Sequence, residues 1–318
     1  MRAPNPAVGT QDRLIGYALL TSGMGLVGTY VALSRPLTDV FPVFLLAWLR
    51  FGIAAVVMLP WLVRPEHEPR PNRAIWRDLI LLSLFGNFLF SIFMLYGVAL
   101  SGAATAGVVL ASIPALVALL SWWMLGERLQ WRTGLAIALA IAGMLLLSVG
   151  PSGARVFEEV VGSERAERPW LGPLLLFGCA CCEALYVILG KGLSGIMSAR
   201  RISALINLVG WALMTPLGIW QALYFDFSSV GAGSWALLVF YALAASMIST
   251  WLWLSGLRHV PASHSGVFAL AMPLAASGVG VLALGEPLSI TFGIALGCAC
   301  TGIVLVAWPG RVRASDRF

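Results

Sequence analysis

The chain has 318 residues, of which 59% are hydrophobic and 11% charged, with a formal net charge of +6. The mean hydropathy is +0.90, and a soluble domain usually carries about 25% charged residues. These figures exclude a disordered chain, a collagen, a coiled coil and a disulfide scaffold, and they predict a polytopic membrane protein whose first partner is the lipid bilayer.

Residues 1–13 form a short basic segment with Arg2 and Arg13. The apolar run behind it is long for a signal-peptide core and lacks a clear small-x-small cleavage site, so it counts as a span. Runs broken by charge, proline and glycine predict ten helices near 14–33, 40–63, 77–98, 103–125, 131–149, 171–190, 202–222, 234–256, 262–284 and 288–308. Helices are the default because hydrocarbon offers no partner to backbone polar groups. The runs do not alternate as barrel strands would. The organisation read from this is 14–150 and 171–308 as two halves, 151–170 as an external loop, and 309–318 as a tail.

Basic residues set the orientation. Fifteen fall on the N-terminal side of the spans, four (Arg35, Arg155, Arg165 and Arg168) on the other, and Arg50 inside one, which accounts for all 20. The positive-inside rule then puts both termini in the cytoplasm, across a bacterial inner membrane. The same scatter argues against a nucleic-acid surface, which needs basic side chains on one face. Trp61, Trp76, Trp131, Trp170, Trp220, Trp235 and Trp308 lie near predicted span ends and suit interfacial anchoring. The five cysteines sit in apolar runs without metal-ligand spacing, so no metal and no cofactor is expected.

Residues 97–147 align without a gap to 256–306 at a constant offset of 159. Gly97/Gly256, Gly107/Gly266, Pro114/Pro273, Leu125-Gly126-Glu127/Leu284-Gly285-Glu286, Gly134/Gly293 and Gly143/Gly302 are among the pairs. A weaker match relates Gly16…Tyr30-Val31-x-Leu33-x-Arg35 to Gly172…Tyr186-Val187-x-Leu189-x-Lys191. A five-helix unit repeats with opposite topology because five is odd, an arrangement that many secondary transporters use to alternate access. The fold class expected is therefore an all-α membrane protein of ten transmembrane helices in two inverted five-helix repeats.

The paired segments from Pro114 to Gly143 and from Pro273 to Gly302, with Arg50-Phe51 in the second span, resemble the paired EamA domains of the drug/metabolite transporter (DMT) superfamily. The resemblance covers roughly residues 14–308. It implies a ten-helix carrier, commonly an exporter of amino acids, nucleobase-type metabolites or other small polar compounds.

Charge within the bilayer costs at least about 2.5–3.5 kcal/mol by insertion scales. Two charged residues lie deep in predicted spans, Arg50 and Glu183. They could form a structural ion pair, Arg50 could bind a substrate carboxylate, or Glu183 could carry a coupled proton. Glu183 aligns with Val27 of the first repeat, and a charge that breaks the symmetry favours a specialised role. His264 near the start of the ninth span either titrates on a pathway wall or bonds a helix carbonyl. Asn87 in the third span and Asn207 in the seventh suit interhelical hydrogen bonds as well as a pathway. Tyr186, three residues from Glu183, and Trp251 are favoured among the aromatic residues as cavity lining, against plain helix packing. The substrate-pathway set is thus Arg50, Asn87, Glu183, Tyr186, Trp251 and His264. Pro114 and Pro273 interrupt their spans and are hinge candidates or fixed kinks. Gly23-Met24-Gly25-Leu26-Val27-Gly28 satisfies a dinucleotide pattern, but inside a membrane span it reads as close helix packing.

The function expected is export of a small polar metabolite by alternating access, with amino acids or amino-acid-derived zwitterions, small metallophores included, as the first substrate class. An uptake permease or passive facilitator of the same fold is the alternative. A membrane-embedded enzyme would need a convergent catalytic set, and the few His and acidic residues do not cluster in sequence.

Overall fold

The computed structural model describes residues 10–33, 37, 40–66, 68–94, 96, 97, 100, 109, 110, 112–127, 130–149, 171–272, 274, 275 and 290–307. Pro273, Glu286 and the 151–170 loop lie outside the described residues. Helices α1 (Thr10–Leu33), α2 (Val43–Val57), α3 (Arg73–Met94), α4 (Ile113–Leu125) and α5 (Trp131–Val149) come first. Helices α6 (Leu171–Ser194), α7 (Ala199–Ala222), α8 (Ala232–His259), α9 (Ala262–Phe268) and α10 (Ile290–Ala307) follow. No strand occurs among the described residues. Helices α3, α6, α7 and α8 are each long and apolar enough to cross a bilayer. Shorter apolar helices cover Val43–Val57, Ile113–Leu125, Trp131–Gly143 and Gly293–Leu305.

Local chemistry explains where several helices start and stop. Asn72 caps α3, its side-chain oxygen accepting from the Ile75 N–H at 2.9 Å. Helix α4 ends at Gly126, which takes up the left-handed region (φ 68°, ψ 21°) that side chains disfavour. The Leu-Gly-Glu triplet thus contains a helix stop followed at once by a free carboxylate.

Helix α1 packs along α8, α2 along α7, α5 along α10, α4 against α9 and α6, and α3 against α6. In lipid the driving force is close packing rather than expulsion of water, so small residues mark the contacts. At the α1–α8 crossing a Cβ on Gly256 would sit 3.0 Å from the Gly16 carbonyl oxygen, and one on Gly23 would sit 3.3 Å from the Trp253 nitrogen. Within the glycine-rich pattern of α1, Gly23 is thus a close-packing position, whereas Gly25 faces open space.

Two clusters brace α2 and α7. At one end Phe41, Phe225, Phe227 and Trp235 stack edge to face and face to face, with centroids 5.0–6.4 Å apart. There the Leu45 N–H donates to Gln221 Oε1 at 2.8 Å. Trp235 is partly buried in that cluster, whereas Trp76, Trp131 and Trp220 are 41–72% exposed and suit the anchoring expected of them. At the other end Glu68 receives the Ser198 N–H at 2.7 Å and the Arg201 guanidinium at 2.9 Å. The Glu68 and Arg201 side chains are 3% and 10% exposed.

Burial alone would raise the Glu68 pKa. The hydrogen bonds from Ser198 and Arg201, with the nearby positive charge, outweigh it and hold the carboxyl below its ordinary 4.5. A depressed carboxyl contributes stability that is present above the unfolded value and lost as the pH falls through the folded one. Glu68→Gln should lower stability by about 3 kcal/mol at neutral pH, because it strands the Arg201 charge. Thermal unfolding of both proteins in detergent should show the gap closing below pH 4.5; a gap independent of pH would argue against the ion pair.

Candidate functional site

Transmembrane helices leave orphan N–H groups at one end and orphan carbonyls at the other. Two charged side chains remote in sequence answer this where α4, α6, α8 and α9 meet, and a third does so at the start of α7. Glu127, just past the α4 stop, accepts the N–H groups of Ala262 and Ser263, both at 2.9 Å. Its carboxylate caps α9. Lys191 in the last turn of α6 donates to the carbonyls of Leu257 (2.5 Å) and Val260 (2.6 Å), closing the end of α8. Each sign sits at the pole of the helix dipole that favours it. Glu68 does the same for α7 through Ser198.

His264, one turn into α9, joins this network. Its Nδ1 lies 3.2 Å from the Tyr17 hydroxyl of α1, and its Nε2 lies 3.4 Å from Thr133 Oγ1 of α5. The Tyr17 ring also stacks on Phe268 at 5.2 Å. The histidine bridges helices at their ends instead of bonding a carbonyl. Trp251 is close by in kind: its ring is 6.4 Å from Trp61, and the Arg200 guanidinium is 5.9 Å from each. This aromatic and cationic group ties the end of α2 to the start of α7.

Farther along the bundle, α3 and α8 each contain a π-helical segment, Leu84–Leu89 and Leu243–Ile248. A π segment inserts one residue and leaves backbone groups to be satisfied from outside, and such segments are frequent at functional sites. Both segments are bonded to α7. Asn87 Nδ2 donates to the Ile206 carbonyl at 3.1 Å, and Ser83 Oγ donates to the same oxygen at 2.8 Å. Asn207 Nδ2 donates to the Ser246 carbonyl at 2.9 Å. The Ala245 carbonyl is taken up by Ser249 Oγ at 2.6 Å. Tyr186 of α6 lays its ring against Gly86, inside the first π segment, where a Cβ would collide with it. Interhelical bonding is thus a role that both asparagines fill.

Arg50 and Glu183 do not form an ion pair; the pairs among the described residues are Arg77–Asp78 and Arg201–Glu68. The Arg50 guanidinium rests over the Phe51 ring at 4.4 Å and the Tyr241 ring of α8 at 5.6 Å. Its Nε is buried without a hydrogen-bond partner. Glu183 is partly buried on α6 and makes no ion pair among the described residues. Pro114 occupies the first turn of α4, where no helical N–H is lost, and Gly266 of α9 packs onto it with a virtual Cβ at 3.0 Å from its Cα.

A buried network of helix-end caps, a bundle of apolar spans and an unpaired arginine within them suit a membrane carrier. The sequence pattern of the EamA-like transporter family matches residues 14–149 and 170–308. The chain belongs to that family. Relatives include an uncharacterized transporter of Bacillus subtilis, YetK, 31% identical and covering 90% of this chain and 85% of the relative. A second from the same organism, the uncharacterized transporter YwfM, is 26% identical over 83% of each chain. A crystal structure, 22% identical, covers 93% of this chain and 96% of its own with a TM-score of 0.73, which establishes the shared fold. The protein is a multi-pass membrane transporter of the EamA type within the DMT superfamily.

For this transporter the sequence reading missed what Glu127, Lys191 and Glu68 do, because the groups they cap are remote in sequence. The Leu-Gly-Glu repeat was the one available signal, since a carboxylate directly after a helix stop is free to bond elsewhere. Glu127→Ala should cost about 1–3 kcal/mol by exposing two buried N–H donors, and Glu127→Gln, which keeps one acceptor oxygen, should cost less. Melting curves of the purified variants would rank them; equal stability of all three would remove the cap from this account.

Proposed function

We propose that this transporter exports a small polar metabolite across the bacterial inner membrane by alternating access, through ten spans arranged as two inverted five-helix repeats. Both termini lie in the cytoplasm in this reading. The pairing of α2 with α7, α4 with α9 and α5 with α10 supports it, because an inverted repeat carries each of these pairs onto itself. The π segments of α3 and α8 support it further. They begin at Leu84 and Leu243, separated by 159, the offset of the sequence repeat. Hinges at Pro114 and Pro273 would flank them in the two halves.

The observation that carries the substrate class is Arg50, a partly buried guanidinium whose Nε is enclosed and which has no acidic partner among the described residues. A permanent cation within the bilayer is stabilised by a ligand carboxylate, which a planar guanidinium binds through two parallel hydrogen bonds. Amino acids and amino-acid-derived zwitterions, metallophores included, offer that group. In this reading Glu183 carries the coupled proton, with Asn87, Tyr186, Trp251 and His264 along the route. The clasp formed by Glu127, Lys191 and His264 closes the cytoplasmic end in this arrangement, so transport requires it to open.

Comparison of medium and cytoplasm from cells with and without the gene identifies the substrate: a zwitterion retained inside the deletion strain and depleted outside supports export. The reverse pattern, or flux in proteoliposomes without saturation or counterflow, favours an uptake permease or passive facilitator. With the substrate in hand, Arg50→Lys should reduce transport at least tenfold by losing one of two parallel bonds, about 1.4 kcal/mol. Glu183→Gln should abolish the pH dependence of flux, and an unchanged pH profile would sink the proton role.

A further inference from the structure

One basic side chain remains unexplained by the helix-end network or the proposed pathway. Helices α5 and α10 pack along each other, and Trp131, Arg132, Val304 and Leu305 enclose a groove of about 200 Å³ between their ends. The Arg132 guanidinium lies 5.7 Å from the Trp131 ring. Its Nη1 is buried and has no hydrogen-bond partner, and no carboxylate among the described residues pairs with it. Trp131 is 72% exposed and Val304 52% exposed, so the groove opens outward from the bundle.

A desolvated guanidinium donor is costly unless an acceptor reaches it. Arg132 lies in the first turn of α5, where the helix dipole already favours an anion. Trp131 at the mouth is the residue type that settles at headgroup depth, and Val304 and Leu305 form an apolar wall suited to an acyl chain. Arg128, Arg311 and Arg313 flank these two helix ends in sequence and add positive charge. Among the described residues that line the groove none is acidic, so none receives a choline or ethanolamine ammonium group. We propose that this groove binds the phosphodiester of an anionic phospholipid, with the Arg132 guanidinium donating to a phosphate oxygen and one acyl chain lying along Val304. The bound lipid spans α5 and α10 and is independent of the transported substrate.

The test uses the full chain in nanodiscs of equimolar phosphatidylcholine and phosphatidylglycerol, with native mass spectrometry counting the lipids retained. The wild type should keep phosphatidylglycerol over phosphatidylcholine. Arg132→Ala should retain about fivefold less of it, the factor one basic residue contributes near an anionic leaflet, and Arg132→Lys should be intermediate. Val304→Trp fills the groove with the arginine intact and should also lose the lipid, which keeps the proposal testable if Arg132→Ala fails to fold. Equal retention by wild type and either disruptive variant overturns the proposal, as does equal retention of the two lipids. Displacement by soluble glycerol 3-phosphate would instead assign the groove to a free phosphate ligand and overturn the lipid assignment.

Discussion

The structure depends on what happens to helix ends in a bundle whose surroundings supply no hydrogen bonds. Glu127 takes two N–H groups at the start of α9, Glu68 takes one at the start of α7, and Lys191 takes two carbonyls at the end of α8. Each cap comes from a different helix or loop, so satisfying a local backbone demand also fixes a long-range contact. Ordinary capping residues act within their own helix and could not do this. Carboxylates sit at positive poles and the ammonium at a negative one, so dipole and hydrogen bond reinforce each other. Because His264 hangs on the turn that Glu127 caps, its contacts with Tyr17 and Thr133 inherit their position from that bond.

Away from this end the helices are joined differently. Both π segments lean on α7, through Asn87 and Ser83 on one side and Asn207 on the other. The segments give α3 and α8 a local excess of backbone acceptors, which hydroxyl and amide groups take up: Ser91 Oγ bonds the Asn87 carbonyl, and Asn207 bonds that of Ser246. Asn87 and Ser246 occupy equivalent positions at the repeat offset. Polar contacts of this kind are exchangeable at modest cost, on the order of 0.6 kcal/mol each within membranes. Each such contact is therefore cheaper to exchange than a charged cap.

Arg50 stands apart from both networks. Its neighbours are rings rather than carboxylates among the described residues, which stabilises the cation through the quadrupoles of Phe51 and Tyr241 while its buried Nε makes no hydrogen bond. Arg201, by contrast, is matched by Glu68 and belongs to the scaffold. Two arginines of the same bundle thus differ in whether an acid or aromatic rings face them.

Composition and hydropathy were enough to establish a polytopic helical membrane protein, because a bilayer demands long apolar runs that no soluble core requires. The Pro114 to Gly143 pattern carried the family, and the glycines of α1 announced close packing because a small residue in a span has few other uses. What tertiary structure alone decided is which polar residues answer one another. Arg50 and Glu183 were the obvious pair by charge and depth, yet Arg50 lies over Tyr241, and Glu183 pairs with no arginine among the described residues. Only the Leu-Gly-Glu stop hinted that Glu127 could cap a remote helix, and nothing marked Lys191, since those backbone groups come within reach only after α4, α6, α8 and α9 assemble. The π segments were equally hidden: one inserted residue leaves the apolar pattern of α3 and α8 intact and is favoured only when α7 supplies partners for the displaced backbone.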